Sequence, residues 1–321
     1  MKPSQPSASV YSIGEKYGYL SYMIERYVEI LGEEETTNLL HFYETKLPKT
    51  IRLNSLRSSY FKTSKLLKNK GVELTNIPRI EEGKEVTSSL IPIGATPEYL
   101  NGYYFLQGKN SMYPSLILNP KKHELVGDFA AAPGGKTTHL AQLMENEGNI
   151  VALELSLKRC RSLKANLSRM GVKNTTIFQM DTREVTTLGL EFDKILLDAP
   201  CSGSGVISSD YTRKSSKTLD DIMNYHDYQT SLLSSSLEVL KPNGELVYCT
   251  CSLEPEENEY VISRVLENYD LELVEIDIEG DNGLEKFQQY EFHKDVLKTR
   301  RLYPHKTSGE GFFIAKMVKN R

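Results

Sequence analysis

The chain has 321 residues, enough for one large domain with a smaller one beside it. Its 39 lysines and arginines against 43 aspartates and glutamates leave a formal charge of −4, which argues against a protein coated in positive charge and leaves room for a local basic surface. No run approaches the roughly 20 apolar residues of a membrane span, the N-terminus lacks the apolar core of a secretory signal, and four cysteines at this size do not make a disulfide scaffold.

The expectation is a cytoplasmic protein, with no membrane contact and no metal. The C-x-C at Cys249–Cys251 has no second cysteine pair at zinc-ligand spacing.

Residues 1–46 are predicted as a helical segment. Leu20, Met23, Ile24, Tyr27, Ile30 and Leu31 recur at three- and four-residue steps, and Leu39 to Tyr43 continues the pattern. Residues 47–119 are predicted as a small α+β module. IRLN is a strand, and Thr63 to Lys70 is a helix ended by Gly71. VELTNI and short apolar pieces follow, broken by Pro78, Pro92, Gly94 and Pro97. Lys62, Lys65, Lys68 and Lys70 read as a solvated helix face.

Residues 120–321 carry the clearest pattern. The strands ELVGDFA, NIVALEL, TTIFQMD, FDKILLDAP and GELVYCTCS alternate with helical runs such as SLKRCRSLKANLSRMG and DYQTSLLSSSLEVLK. That alternation predicts a doubly wound, Rossmann-like α/β domain, a parallel sheet covered on both faces. Ligands in such sheets bind beyond the carboxyl ends of the strands.

One set of residues at those ends suits a cofactor. Asp128-Phe-Ala-Ala-Ala-Pro-Gly-Gly-Lys follows the first strand and opens a helix. Gly134 and Gly135 permit a sharp turn and a close backbone approach, and the helix start offers free N–H groups to a carboxylate. Alone, a glycine pair is as consistent with a tight turn. Glu154, Asp181 and Asp198 end the next three strands, an arrangement that suits a nucleoside; helix capping serves almost as well for Asp181. The turn is neither G-x-G-x-x-G nor a P-loop, so S-adenosylmethionine fits better than a dinucleotide or a nucleoside triphosphate.

A second set suits covalent chemistry. Cys201 follows the fourth strand and Cys251 the fifth, on one ligand-binding edge. Cys160 in mid-helix and Cys249 within a strand read as small hydrophobes. Cytosine C5 is too weak a nucleophile to attack a sulfonium methyl unaided. A thiolate adding to C6 activates it, splitting one hard step into easier ones. An acid near N3, here Asp198, would assist with a proton, and the base must be flipped out or unpaired. DNA cytosine enzymes use a proline-cysteine nucleophile, and Pro200-Cys201 matches that pattern. On chemistry alone either thiol could attack.

The text AAAPGGKTTHLAQ, VALELS, NLSRMGV, DKILLDAPCSGSG, VYCTCSLEPEENE and RLYPH…GFFIAK resembles the Nop2/Sun (Fmu) family of RNA 5-methylcytosine methyltransferases, as do IRLN and YYFLQGKNSMYPSLIL. The resemblance runs from about residue 45 to the end of the chain. It implies that Cys251 bonds cytosine C6 and that Cys201 helps to release the product. It implies that Ala130, Ala131, Ala132, Pro133, Gly134, Gly135 and Lys136, with Glu154, Asp181 and Asp198, bind adenosylmethionine. Arg52 and Asn54 match the R-x-N pattern of an N-terminal module that resembles an RNA-recognition fold, and are expected at the RNA.

Ala130 stands where many relatives have cysteine, and Glu154 where aspartate is frequent. The stretch VISSDYTRKSSK departs from the usual basic-proline-tryptophan pattern. The chain looks most like compact archaeal tRNA enzymes acting at variable-loop positions 48 and 49, as a monomer. The alternatives are a ribosomal RNA substrate and a non-catalytic RNA-binding assembly factor.

Overall fold

The computed structural model describes residues 6–320. The N-terminal helical stretch is three helices, α1 (Ala8–Tyr17), α2 (Ser21–Leu31) and α3 (Glu33–Tyr43). The breaks fall at Gly18 and Gly32, both with φ near +80°, a region where a side chain would be strained. Met23, Ile24, Tyr27, Leu39, Leu40 and Tyr43 are buried in one cluster with Ile207, Leu253 and Tyr303 of the distant C-terminal half. The helices are thus packed onto the large sheet's loops.

Next come β1 (Lys49–Leu53), α4 (Tyr60–Lys68), β2 (Val72–Ile77), β3 (Ile80–Ser89), α5 (Pro97–Leu100) and β4 (Tyr104–Leu106). The strands form an antiparallel sheet in the order β2-β3-β1-β4. β3 is the longest of them, although its sequence, IEEGKEVTSS, lacks an apolar run. α6 (Lys109–Leu118) leads on to the large sheet.

The large sheet is built from β5 (Leu125–Phe129), α7 (Gly135–Leu143), β6 (Asn149–Leu153), α8 (Leu157–Met170), β7 (Thr175–Phe178), β8 (Phe192–Asp198), α9 (Leu219–Glu238) and β9 (Leu240–Thr250). Five strands run parallel in the order β9-β8-β5-β6-β7. Chain order reverses at β5, so the crevice beyond β5 and β8 is the expected ligand site. α9 begins about two turns earlier than its predicted run, at Leu219 rather than Asp227. Thr218 and Asp221 form a reciprocal capping box there.

The chain closes with α10 (Glu259–Asn268), β10 (Leu271–Val274), β11 (Asp281–Asn282), the hairpin β12 (Lys286–Phe287) and β13 (Tyr290–Glu291), then β14 (Arg300–Leu302), α11 (Pro304–Thr307) and β15 (Phe312–Lys319). β15 lies antiparallel against β9, with β14 and β10 paired to it in turn. The sheet is therefore mixed. The expectation of a parallel sheet holds for the five contiguous strands from β9 to β7 alone. Among the described residues no helix is long and apolar enough to cross a membrane.

Candidate active site

The carboxyl ends of β5 and β6 build one half of the site. After Phe129 the chain turns through Ala130, held at φ 64°, where only a small side chain keeps the steric cost low. Gly134 completes the turn at φ 102°, and a Cβ on it would lie 2.9 Å from Leu163 Cδ1 of α8. α7 then starts at Gly135, and its first N–H groups have no partner within the helix.

Two cavities of about 230 and 240 Å³ meet at Ala130. Asp128, Ala130 to Pro133, Gly135, Lys136 and Asp198 line the first, together with Ser111 and Glu310. Glu154, Met180, Thr182, Pro200 and Tyr228 line the second. Larger hollows lie between α2 and the β12–β13 hairpin and along α8, but neither brings an unpartnered carboxylate to a strand end.

Such a carboxylate is present at Glu154, which is buried. Its Oε1 accepts the Ser156 N–H at 2.9 Å, and its Oε2 accepts no hydrogen bond, with Arg159 3.4 Å away. A buried acceptor without a donor is costly, and a ribose hydroxyl is a donor that would satisfy it. Asp128 lies under the loop. Its Oδ2 accepts the Thr137 hydroxyl at 2.6 Å, its Oδ1 has no partner, and burial pushes the carboxyl up to about 7. These residues fit adenosylmethionine.

Asp181 lies outside both cavities. It caps the turn Thr182–Leu188, accepting the Arg183 N–H at 2.9 Å and the Arg183 guanidinium at 2.7 Å. Its carboxylate thus caps this turn, with Met180 and Thr182 on either side lining the second cavity.

The carboxyl ends of β8 and β9 build the other half. The Sγ atoms of Cys201 and Cys251 are 3.2 Å apart. The hydrogen bond to Cys251 and burial push the Cys201 thiol well above its ordinary value. Asp198 Oδ2 lies 2.7 Å from Lys136 Nζ, and its Oδ1 accepts the Cys249 thiol at 3.4 Å. Burial opposes the charge on Lys136, yet Asp198, Cys249 and Asp128 hold its ammonium above the ordinary value. Cys160 and Cys249 are buried, on α8 and β9.

The two thiol loops touch through backbone. Gly205 N–H donates to Cys251 O at 2.9 Å, and Gly311 N–H to Gly205 O at 2.7 Å. A Cβ on Gly205 would meet Gly311 O at 2.4 Å, so the glycine permits the approach. Tyr43 of α3 donates to Ser204 O at 2.7 Å.

Glu257 is the residue that sequence reasoning passed over. It is fully buried on the turn Pro255–Glu257. Its Oε2 accepts the Ser202 N–H at 2.8 Å and Gln229 Nε2 at 3.0 Å; its Oε1 accepts the hydroxyls of Ser252, at 2.6 Å, and Ser202. It lies within VYCTCSLEPEENE, a stretch that carried the family resemblance without a role for this acid.

Burial pushes Glu257 up to about 7 from an ordinary 4.5. A carboxyl whose folded pKa is raised stabilises the fold fully below its unfolded pKa and loses that contribution as pH rises through the folded value. Thermal unfolding of Glu257→Gln beside the parent should therefore shift in the variant's favour as pH rises from about 4.5 to about 7. A difference independent of pH would contradict the buried, protonatable state.

Arg52 and Asn54, expected at the RNA, are fully buried. Arg52 donates to Gln107 Oε1 at 2.8 Å, Gln142 Oε1 at 2.6 Å and Thr138 Oγ1 at 2.6 Å. Asn54 donates to Gly102 O and Met170 O at 2.7 and 2.8 Å. The physical reason for this correction is a set of acceptors inside the protein. Both side chains bind the small sheet to α7 and α8, and so support the cofactor turn.

The family described as 16S rRNA methyltransferase RsmB/F matches residues 115–318, and the N-terminal domain of RsmF matches 21–109. The chain belongs to the RsmB/F methyltransferase family. RsmB/F proteins are adenosylmethionine-dependent. The 28S rRNA (cytosine-C(5))-methyltransferase of Mus musculus is 41% identical over 94% of this chain, which spans 39% of that protein's length. The tRNA (cytosine(49)-C(5))-methyltransferase of Pyrococcus abyssi is 34% identical over 93% of this chain and 96% of its own. A crystal structure of a methyltransferase homologue from Pyrococcus horikoshii superposes with a TM-score of 0.90 at 42% identity, covering 98% of this chain and 99% of that one. NSun6 from the same organism, solved with the adenosylmethionine analogue SFG, gives 0.82 at 27% identity over 96% and 98%.

Proposed function

We propose that this chain transfers a methyl group from adenosylmethionine to C5 of a cytosine in RNA, with Cys251 as the nucleophile. The observation that carries the reading is the thiol pair, 3.2 Å apart at the strand ends; the family resemblance assigns the attack to Cys251. Bound adenosylmethionine would supply an electrophilic methyl group. The Cys251 thiolate adds to C6, and the electron pair moves toward C5, which takes the methyl. Asp198, steadied by Lys136, holds or shares a proton at N3 during the addition. Adenosylhomocysteine leaves as the methyl is transferred. A base then takes the C5 proton, the C–H electron pair reforms the C5–C6 double bond, and Cys251 departs as the thiolate. The resemblance assigns Cys201 to that release.

The reading is tested by incubating Cys201→Ala with RNA and adenosylmethionine. An adduct that survives denaturation and vanishes in the Cys201→Ala, Cys251→Ala double variant is expected. No adduct at all would reject the release role.

Glu154→Ala tests the cofactor half. Losing a charged acceptor at the ribose should raise the adenosylmethionine Kd about 10- to 100-fold by calorimetry, and an unchanged Kd would move the nucleoside elsewhere.

The RNA is proposed to be tRNA, at variable-loop positions 48 and 49, acting on it as a monomer in the cytoplasm. The nearly end-to-end match to the Pyrococcus abyssi tRNA enzyme supports this. Ribosomal RNA is the second reading, favoured by the higher identity to the mouse enzyme. Bisulfite mapping of tRNA and rRNA transcripts treated with the protein separates them.

A further inference from the structure

Glu254, Glu256 and Glu257 share one turn but differ in their partners. Arg26 of α2 takes the first two. Among the described residues Glu257 makes no ion pair with any cation, and its carboxylate partners are the uncharged Ser202, Ser252 and Gln229. Ser202 directly follows Cys201, and Ser252 directly follows Cys251. The serine hydroxyls lie 3.1 Å apart, and one carboxylate oxygen accepts from both. The charged or titratable groups around this carboxylate are Glu254 on its own turn, Cys201 on the β8 loop and Tyr248 on β9. Tyr248 donates its hydroxyl to the Glu257 carbonyl at 2.7 Å. A strut needs no charge, and a buried carboxyl without a cation is costly. This one joins the two residues that fix where the thiols sit.

We propose that Glu257 is a positioning residue of the thiol pair: by bonding Ser202 and Ser252 together it sets the distance between Cys201 and Cys251, and with it which thiol attacks. The inference rests on the function proposed above. It acts through the serines. Without the bridge, the β8 and β9 loops keep their backbone contacts and those of the Ser204 hydroxyl with Ser252 and the Leu253 N–H, but lose the carboxylate that clamps the residues beside the two thiols.

Three variants test it: Glu257→Ala, Glu257→Gln, and the pair Ser202→Ala with Ser252→Ala. Glutamine offers an oxygen to the Ser202 N–H and Gln229, and an amino group to the two hydroxyls, so it should stay within a few-fold of the parent kcat. Glu257→Ala should lose about 100-fold in kcat, the cost of roughly an ångström of misplacement, with the adenosylmethionine Kd unchanged. Alkylation by iodoacetamide, read peptide by peptide, should become faster at Cys201 in that variant. If Glu257→Ala does not fold, the double serine variant carries the same expectation.

Parent kcat and parent alkylation in Glu257→Ala, or in the double serine variant, would overturn the proposal. A glutamine variant as slow as the alanine one would overturn it too. Failure of the underlying reading looks different: there Cys251→Ala itself would stay active. An inert Cys251→Ala beside a fully active Glu257→Ala rejects the positioning role alone.

Discussion

Cys251→Ala is expected to cut methyl transfer by about 10⁴-fold or more, the scale on which removal of a catalytic nucleophile acts, and to leave adenosylmethionine binding intact. The cofactor groups explain the split. Glu154, Asp128 and the turn at Ala130 to Gly135 lie on β5, β6 and α7, and the thiol lies after β9. Cys201 is 3.2 Å away in the parent; the variant removes the Cys251 hydrogen bond, the larger cause that raises its thiol, but burial still raises it, and a thiol is a poor nucleophile. Single-turnover transfer from labelled adenosylmethionine measures the loss, and calorimetry measures the binding. Residual activity within tenfold of the parent would assign the attack to Cys201 instead.

Arg26→Ala should cost about 3–5 kcal/mol of stability, as expected when one partner of a buried ion pair is removed. The guanidinium bonds Glu254 at 2.7 Å, also bonds Glu256, and lies 4.6 Å over the Phe287 ring. All three charged side chains are buried. Alanine leaves two carboxylates in the interior with no cation. The damage falls where it matters, since the same turn carries Glu257. Urea unfolding should show a lower midpoint at an unchanged slope, and methyl transfer should fall with it. Lysine should rescue only part, because it cannot reach two carboxylates with a planar fork. A loss below about 1 kcal/mol would mean that water replaces the arginine, as it does at exposed pairs.

The parallel strands were legible because a strand buried on both faces reads as a continuous apolar run; ILLD in β8 and LVYC in β9 do so. The C-terminal antiparallel strands were not. β11 and β14 are short and polar, β11 pairing with β14 and β14 with β15, and no periodicity marks a strand of that length. β3 hides for another reason: its partners β1 and β2 supply the apolar side chains. At the site, residue type and strand-end position were enough to place Cys201, Cys251, Asp198 and Glu154. They were not enough for Arg52 and Asn54. A pattern such as R-x-N gives the side chain but not whether protein or solvent surrounds it. Glu257 was visible as a letter and invisible as a role, since its meaning comes from serines 50 residues apart in sequence.

β15 stands between β9 and β14. During synthesis both thiols leave the ribosome well before residues 312–319 do. Until those residues arrive, the strand that carries Cys251 presents a bare edge, Leu246 to Thr250, with the apolar side chains of Val247 and Tyr248 beside it. Such an edge invites pairing with other chains. The nascent protein therefore holds its reactive groups on an unfinished surface until β15 closes it. Stalled or truncated products are expected to be clients of chaperones rather than weak enzymes.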